Sequence, residues 1–386
     1  MLLEAVLLCA SILIVASVAL RYRRQQKTCA FFHPYCNAGG GGERVLWCAI
    51  NAMQKRFAKE NYKYVVYTGD TDANPREIVE KAQKRFNVVV DASSVHFVYL
   101  HWRGLLEAER YPRFTLLCQT LAGFVVGLEA LWRLNPAVFV DSMGYPLTLP
   151  LFRWFAGASV ACYVHYPTIS TDMIGVVQER RGTFNNAQWI AQSTVLSRGK
   201  LLYYRLFALL YKLCGKAADV IMVNSTWTFG HIAELWARPG DTNIVYPPCD
   251  VDTFCKLKLR AEQLRPVVKI LSIGQIRPEK NHRLQLESFA LLKKELASRK
   301  SDIIPRLVIA GGCRHKDDIE RAENLQKYAK ELNIDDSVEW RLNIPFDELL
   351  VELSEAMIGV HTMWNEHFGI SVVEGMAAGN IMIASD

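Results

Sequence analysis

Glu366-His367-Phe368-Gly369-Ile370-Ser371-Val372-Val373-Glu374 sets one carboxylate in a glycine-bearing turn and a second eight residues later, inside an opening helix. Val372, Val373, Met376, Ala377 and Ala378 give that helix an apolar face, and Gly369 and Gly379 punctuate its ends. A carboxylate at Glu374 can accept paired hydrogen bonds from the two hydroxyls of a ribose. The amides of His367, Phe368, Gly369 and Ile370 fall where a helix start offers unsatisfied donors and partial positive charge to a phosphate. Alone, the two glutamates fit a solvated flank of a buried helix equally well. Three further segments turn the reading toward a nucleotide-sugar site.

The first runs from the apolar strand Phe31-Phe32-His33-Pro34-Tyr35 into Gly39-Gly40-Gly41-Gly42-Glu43. After it Val45, Leu46, Ala49, Ile50 and Met53 recur at helical spacing. Gly41 and Gly42 let the backbone approach an anion closely. The run lacks the Gly-x-Gly-x-x-Gly spacing of dinucleotide binders, which disfavours NAD. The second, Ser159 to Pro167, is a strand ending on His165, placed where a crevice-facing imidazole can touch a transferred sugar. An extended-loop histidine with ordinary partners reads the same way. In the third, Ile270 to Asn281, a strand leads to Gly274 and then to Arg277 and Lys280, just before a helix. Two cations there can neutralise a departing diphosphate.

These segments resemble retaining GT-B glycosyltransferases of the glycosyltransferase-4 type, which carry the Glu-x7-Glu motif. A narrower resemblance, to the α-1,2-mannosyltransferases of asparagine-linked glycosylation, rests on seven strings in order. They are FFHPYCNAGGGGERVLWCA, VHYPTISTDM, FNNA, NIVYPPCDV, GQIRPEKNH, NIPFDEL and HTMWNEHFGI. The resemblance implies an α/β GT-B fold, two Rossmann-like doubly wound domains facing a cleft. It implies transfer of mannose from GDP-mannose to dolichol-diphosphate-linked Man3GlcNAc2, twice in succession, on the cytosolic face of the endoplasmic reticulum. His165 and Glu366 would then contact mannose, Glu374 the ribose, and Arg277 and Lys280 the leaving GDP, with no metal required. Other dolichol-pathway mannosyltransferases are expected partners. Gln275 stands where many members of the family have an arginine, which makes Arg277 the less secure of the two cations. The sequence stops at Asp386, where the family continues, so the second domain is expected to be incomplete and catalysis could be lost. A membrane-tethered, non-catalytic partner and a GT-B enzyme using a UDP-sugar are the alternatives.

Alternating apolar runs and helical patterns give strands near 29–35, 63–68, 95–100, 137–141, 159–165, 219–224 and 243–246. A second series lies near 268–274, 306–311, 337–342, 357–361 and 381–385. Residues 1–27 read as an anchor, 28–250 as the acceptor domain and 251–386 as the donor domain. The polar, basic stretch from Pro247 to about 266 reads as the linker. From Ala5 to Leu20 there is no charge, and Arg21, Arg23, Arg24 and Lys27 follow at once, the pattern of a membrane anchor with a cytosolic basic flank. Phe114 to Leu134 and the basic Lys200 to Lys216 are also candidates for facing a membrane, or else ordinary domain helices. The net charge of +6 is mild and contains no basic run arguing for nucleic acid. The ten cysteines show no Cys-x-x-Cys pattern and read as free thiols. Asp70-Thr71-Asp72 matches an Asp-x-Asp metal motif but sits in a polar turn, where aspartates are common for turn reasons.

Overall fold

The computed structural model describes residues 2–180, 192–313, 316–363 and 366–385. Phe184-Asn185-Asn186-Ala187, and Trp364 and Asn365 of the last string above, lie outside the described residues. The chain divides into two compact units, Met1–Pro248 and Cys249–Asp386.

The first unit is a seven-stranded parallel sheet. Its strands are β1 (Gln25–Phe32), β2 (Lys63–Thr68), β3 (Val95–Tyr99), β4 (Pro136–Asp141), β5 (Ser159–Val164), β6 (Val220–Val223) and β7 (Thr242–Ile244). They lie in the order β3-β2-β1-β4-β5-β6-β7. The helices are α1 (Leu2–Tyr22), α2 (Gly41–Arg56), α3 (Pro75–Phe86), α4 (Thr115–Arg133), α5 (Thr171–Gln178), α6 (Thr194–Gly215) and α7 (Thr226–Trp236). A parallel sheet needs both faces covered, which explains the unbroken apolar runs of its strands. Successive side chains on a strand point to opposite faces. Phe32 accordingly packs with Tyr67, Phe139 and Phe152 on one side, and Phe31 with Trp47 and Tyr64 on the other. Strand order reverses between β1 and β4, and the crevice outside such a switch point is where open α/β sheets bind ligands.

Helix α4 is long and apolar enough to cross a membrane, and 44% of its apolar window is buried in the fold. Its acidic residue, Glu129, is engaged inside the unit. The carboxylate accepts from the His101 and Trp102 amides at 2.9 and 3.0 Å and pairs with Arg133.

The second unit is a five-stranded parallel sheet of β8 (Val267–Ile273), β9 (Ile304–Gly311), β10 (Val338–Leu342), β11 (Ala356–His361) and β12 (Ile381–Ala384), ordered β10-β9-β8-β11-β12. Its helices are α8 (His282–Ser298), α9 (Lys316–Glu331), α10 (Phe346–Glu355) and α11 (Ile370–Ala377). Here the switch point lies between β8 and β11. Gly311, ending β9, must lack a side chain: a Cβ there would stand 2.1 Å from the Gly274 carbonyl oxygen. Gly311→Ala is therefore expected to displace the loop carrying Lys280, lowering stability by roughly 1–3 kcal/mol. A chemical-denaturation midpoint equal to wild type would contradict this.

The stretch 247–266, expected as a linker, is largely part of the second unit. Phe254 is buried against the Phe346 ring, and Arg260 donates its amide to the Ser354 carbonyl and pairs with Glu355. One buried aromatic outweighs the polar composition around it.

Candidate active site

In the first unit, β1 leads into His33, β4 into Ser142 and β5 into His165, three loops that emerge side by side at the switch point. His33 is fully buried. Its Nδ1 lies 2.9 Å from the Ser142 hydroxyl and its Nε2 3.6 Å from the Glu43 carboxylate. Glu43 sits in the first turn of α2 and accepts the Gly40 amide, so it caps the helix that Gly41 and Gly42 open. Burial works against the Glu43 charge, but His33 and the Gly40 amide outweigh it and hold the carboxyl below its usual range. The glycine run is pinned from α3, where Arg85 Nε donates to the Gly39 carbonyl at 2.6 Å and Lys81 Nζ to that of Asn37 at 3.0 Å. Gly39 has φ +77, a conformation that favours glycine.

His165 lies beside this loop: a Cβ on Gly42 would be 3.6 Å from its Nε2. That nitrogen is buried and has no hydrogen-bond partner among the described residues. Burial and the neighbouring His33 push the imidazole down to about 4, so it is neutral at physiological pH. A neutral ring with a free nitrogen can exchange one hydrogen bond with a sugar hydroxyl. Asp141 is buried, its carboxylate accepting the amides of Met143, Gly144 and Tyr145 at 2.9–3.1 Å. Burial still raises it to about 6.

In the second unit the loops after β8 and β11 meet. Glu366 Oε2 accepts from Lys280 Nζ at 2.9 Å and lies 2.8 Å from His361 Nε2, and Oε1 accepts the His367 amide at 3.1 Å. Thr362 ties the loops together, its hydroxyl donating to the Lys280 carbonyl at 2.8 Å and accepting from Gln285 at 2.8 Å. Burial raises the Glu366 carboxyl, but the His361 hydrogen bond and the Lys280 ammonium outweigh it and hold the group at about 2. Phe368 and Gly369 follow, Gly369 with φ +74 standing before Ile370, the first residue of α11. That helix start has no side-chain cap; the amides of Val372 and Val373 donate to the Gly369 carbonyl, and those of Ile370 and Ser371 come before the helical ladder begins. Glu374 is half-buried one turn on.

The structure thus brings Lys280, Glu366, His367, Gly369 and Ile370 to one loop cluster, and His165, Gly41 and Gly42 to another. It does not bring Arg277 to Glu366; that residue lines a different cavity, between α8 and α9. Sequence reasoning missed His361, His33 and Glu43. His33 and His361 had a signal, a histidine at the end of an apolar strand, the same one that selected His165. Asp70 of the Asp-Thr-Asp turn is engaged, pairing with Arg103 at 2.6 Å and accepting the Asn37 amide at 2.9 Å. Among the described residues no group of three or more His, Cys, Asp and Glu is arranged to hold a metal ion.

Residues 26–236 match the family model described as ALG11 mannosyltransferase N-terminus, and residues 259–386 that of glycosyl transferases group 1. A protein of Caenorhabditis elegans named GDP-Man:Man(3)GlcNAc(2)-PP-Dol alpha-1,2-mannosyltransferase is 55% identical over 97% of this chain and 79% of its own length. The human protein of that name is 52% identical over 94% of this chain and 73% of its own. Among solved structures, sucrose-phosphate synthase of Thermosynechococcus elongatus superposes with a TM-score of 0.60 at 18% identity, covering 92% of this chain and 80% of that one. The Anabaena HepE protein in complex with UDP and glucose gives 0.56 at 11%, with 92% and 80% covered. At such identities these two show the fold alone.

Proposed function

The chain belongs to the ALG11 mannosyltransferase family, and from that premise we infer that it transfers mannose, in α-1,2 linkage, from GDP-mannose to dolichol-diphosphate-linked Man3GlcNAc2. In this reading it adds the fourth and fifth mannoses with retention, on the cytosolic face of the endoplasmic reticulum. Residues 28–250 bind the acceptor and 251–386 the donor. The observation that carries it is the Lys280–Glu366–His361 cluster beside the uncapped start of α11.

Within the second unit the diphosphate is received by Lys280 and the amides around Gly369 and Ile370. These donors stabilise the charge that grows as GDP departs, the quantity that decides the rate. Glu366, fixed by Lys280 and His361, accepts from mannose hydroxyls, and Glu374 from the ribose. His165 meets the sugar as a neutral imidazole. The leaving phosphate takes the acceptor proton, and no metal is needed. EDTA is expected to leave turnover unchanged; loss of activity restored by Mn²⁺ would overturn that part.

The membrane is the expected partner of the first unit. Helix α6 buries Tyr204, Phe207 and Tyr211 but exposes Leu202, Leu206, Leu209 and Leu213, a second apolar stripe facing away from the core. Helix α4 exposes Leu121, Leu128 and Trp132, and joins α6 where Phe114 packs edge-on to Tyr203 at 5.6 Å. At its other end Arg23, just after α1, lies over the Trp132 ring at 5.5 Å, and Arg21 donates to the Trp154 carbonyl at 2.6 Å. Exposed leucines, two exposed tryptophans and a basic flank are the chemistry of a lipid headgroup boundary. A protein lacking residues 1–24, with Leu202, Leu206 and Leu209 changed to serine, should lose most co-flotation with anionic liposomes. Flotation equal to that of the protein lacking only residues 1–24 would refute the docking.

The activity test is transfer of radiolabelled mannose to a synthetic lipid-linked Man3GlcNAc2, with Glu374→Ala as control and with GDP and UDP as competitors. Product that depends on Glu374 and is suppressed by GDP more than by UDP supports the assignment. No product, with the human relative active in parallel, refutes catalysis by this chain.

A further inference from the structure

Apart from the Lys280–Glu366 cluster, the second unit carries a cavity of about 440 Å³ where α8 begins against the flank of α9. Arg277 and His282 line it from the loop and first turn, Arg321 and Tyr328 from α9; Lys280, His361 and Glu366 do not. The groups facing it are mostly of one sign. His282 is 3% exposed, yet neither ring nitrogen has a hydrogen-bond partner among the described residues. The Nε of Arg321 is likewise buried and unpartnered. Among the described residues no carboxylate is ion-paired with Arg277 or Arg321. Arg283, at the rim, is already matched by Glu287 at 3.0 Å and stacks over Tyr328. Glu331 is the lining carboxylate.

Helix α8 adds backbone donors. Its first turn holds no acidic residue, and its N-cap, Asn281, makes no side-chain cap. A buried imidazole without partners and two unneutralised guanidiniums are costly unless something of opposite charge completes them. Burial, together with the Lys280 and Arg321 charges, holds His282 at about 4, so its ring is neutral and donates from one nitrogen.

We propose that this cavity binds a phosphate ester, its oxyanion held between Arg277 and Arg321 and by the His282 N–H and the opening amides of α8. Guanidiniums suit phosphate because their forked donors match its oxygens. The volume exceeds what a bare phosphate fills and lies in the range of small-ligand pockets, which points to an ester carrying an organic group. The same chemistry could come from a soluble metabolite or from a phospholipid headgroup.

The test is calorimetric titration of the full chain in detergent with inorganic phosphate and with glucose 1-phosphate, for wild type, Arg321→Gln, Arg277→Gln and Lys280→Gln. A binding step weakened at least tenfold in both arginine variants and kept in Lys280→Gln is the expected result. Arg321→Gln should melt no lower than wild type without phosphate, since it removes one of two facing like charges. Arg321→Lys should recover part of the affinity, which separates lost charge from lost fold. Flotation with phosphatidylcholine vesicles, with and without phosphatidic acid, assigns the source: a loss confined to the phosphatidic acid arm in Arg321→Gln identifies a headgroup, and none identifies a soluble ester. Arginine variants that titrate like wild type, or a single step that vanishes with Lys280→Gln, would overturn the proposal.

Discussion

Glu366→Ala is expected to lower mannosyl transfer by about 10²–10³-fold, the scale seen when one preorganised polar contact to a transition state is removed. The carboxylate has three partners, Lys280, His361 and the His367 amide, and among the described residues the Lys280 ammonium has one other side-chain acceptor, the Met363 thioether at 3.1 Å. Truncation therefore frees the ammonium to swing from its position and leaves a nearly buried imidazole without its acceptor. Glu366→Gln keeps the shape and loses the charge, and should recover no more than a small part of the rate. Rates for both variants within twofold of wild type would remove Glu366 from the site.

The same residue gives a pH signature. Its folded pKa, about 2, lies below the ordinary value of 4.5, so the group contributes stability that is present above pH 4.5 and is lost as pH falls toward 2. Discounted for the solvent screening of a partly exposed pair, the contribution is on the order of 1 kcal/mol. Wild type should lose stability more steeply than Glu366→Gln across that window in acid titrations followed by circular dichroism. Parallel curves would show that the ion pair does not hold in solution.

Gly42→Ala is expected to keep the fold and abolish most of the activity, a loss of about 10²-fold or more. The backbone there is ordinary helix, and an added Cβ meets only van der Waals neighbours, His165 Nε2 at 3.6 Å and His33 Cε1 at 3.9 Å. Helix propensity even favours the change by up to about 1 kcal/mol. The methyl would instead fill the space before the His165 nitrogen, where the sugar is proposed to sit. Thermal melting at or above wild type with little turnover is the expected pairing. A variant that turns over normally would mean that the donor does not approach α2 at Gly42.

The sheets were legible because buried parallel strands are continuous apolar runs: the expected 63–68 coincides with β2, and 306–311 falls inside β9. The site was legible only where motif and chain neighbours coincide, as at Lys280 and Glu366. His361 was not, because its partnership depends on β11 lying beside β8, a fact of strand order that no local pattern carries. Arg277 misled because Ile276 is fully buried in the core, and in extended chain the residues on either side of a buried one point away from it. The linker was misread because a few scattered contacts, from Phe254, Leu257, Arg260 and Ala261, anchor a polar stretch, and scattered anchors have no periodicity to detect.

Each sheet places at its centre two strands distant in sequence: Cys29 is paired with Val138 across β1 and β4, and Lys269 with Ala356 across β8 and β11. Such pairings close long loops before they gain any contact, which slows folding. During synthesis β1, β2 and β3 leave the ribosome with one side of β1 still waiting for β4, and Lys280 emerges well before its partner carboxylate. The two candidate-site clusters are thus among the last features of each unit to form on a growing chain, and an apolar nascent sheet must be shielded until they do.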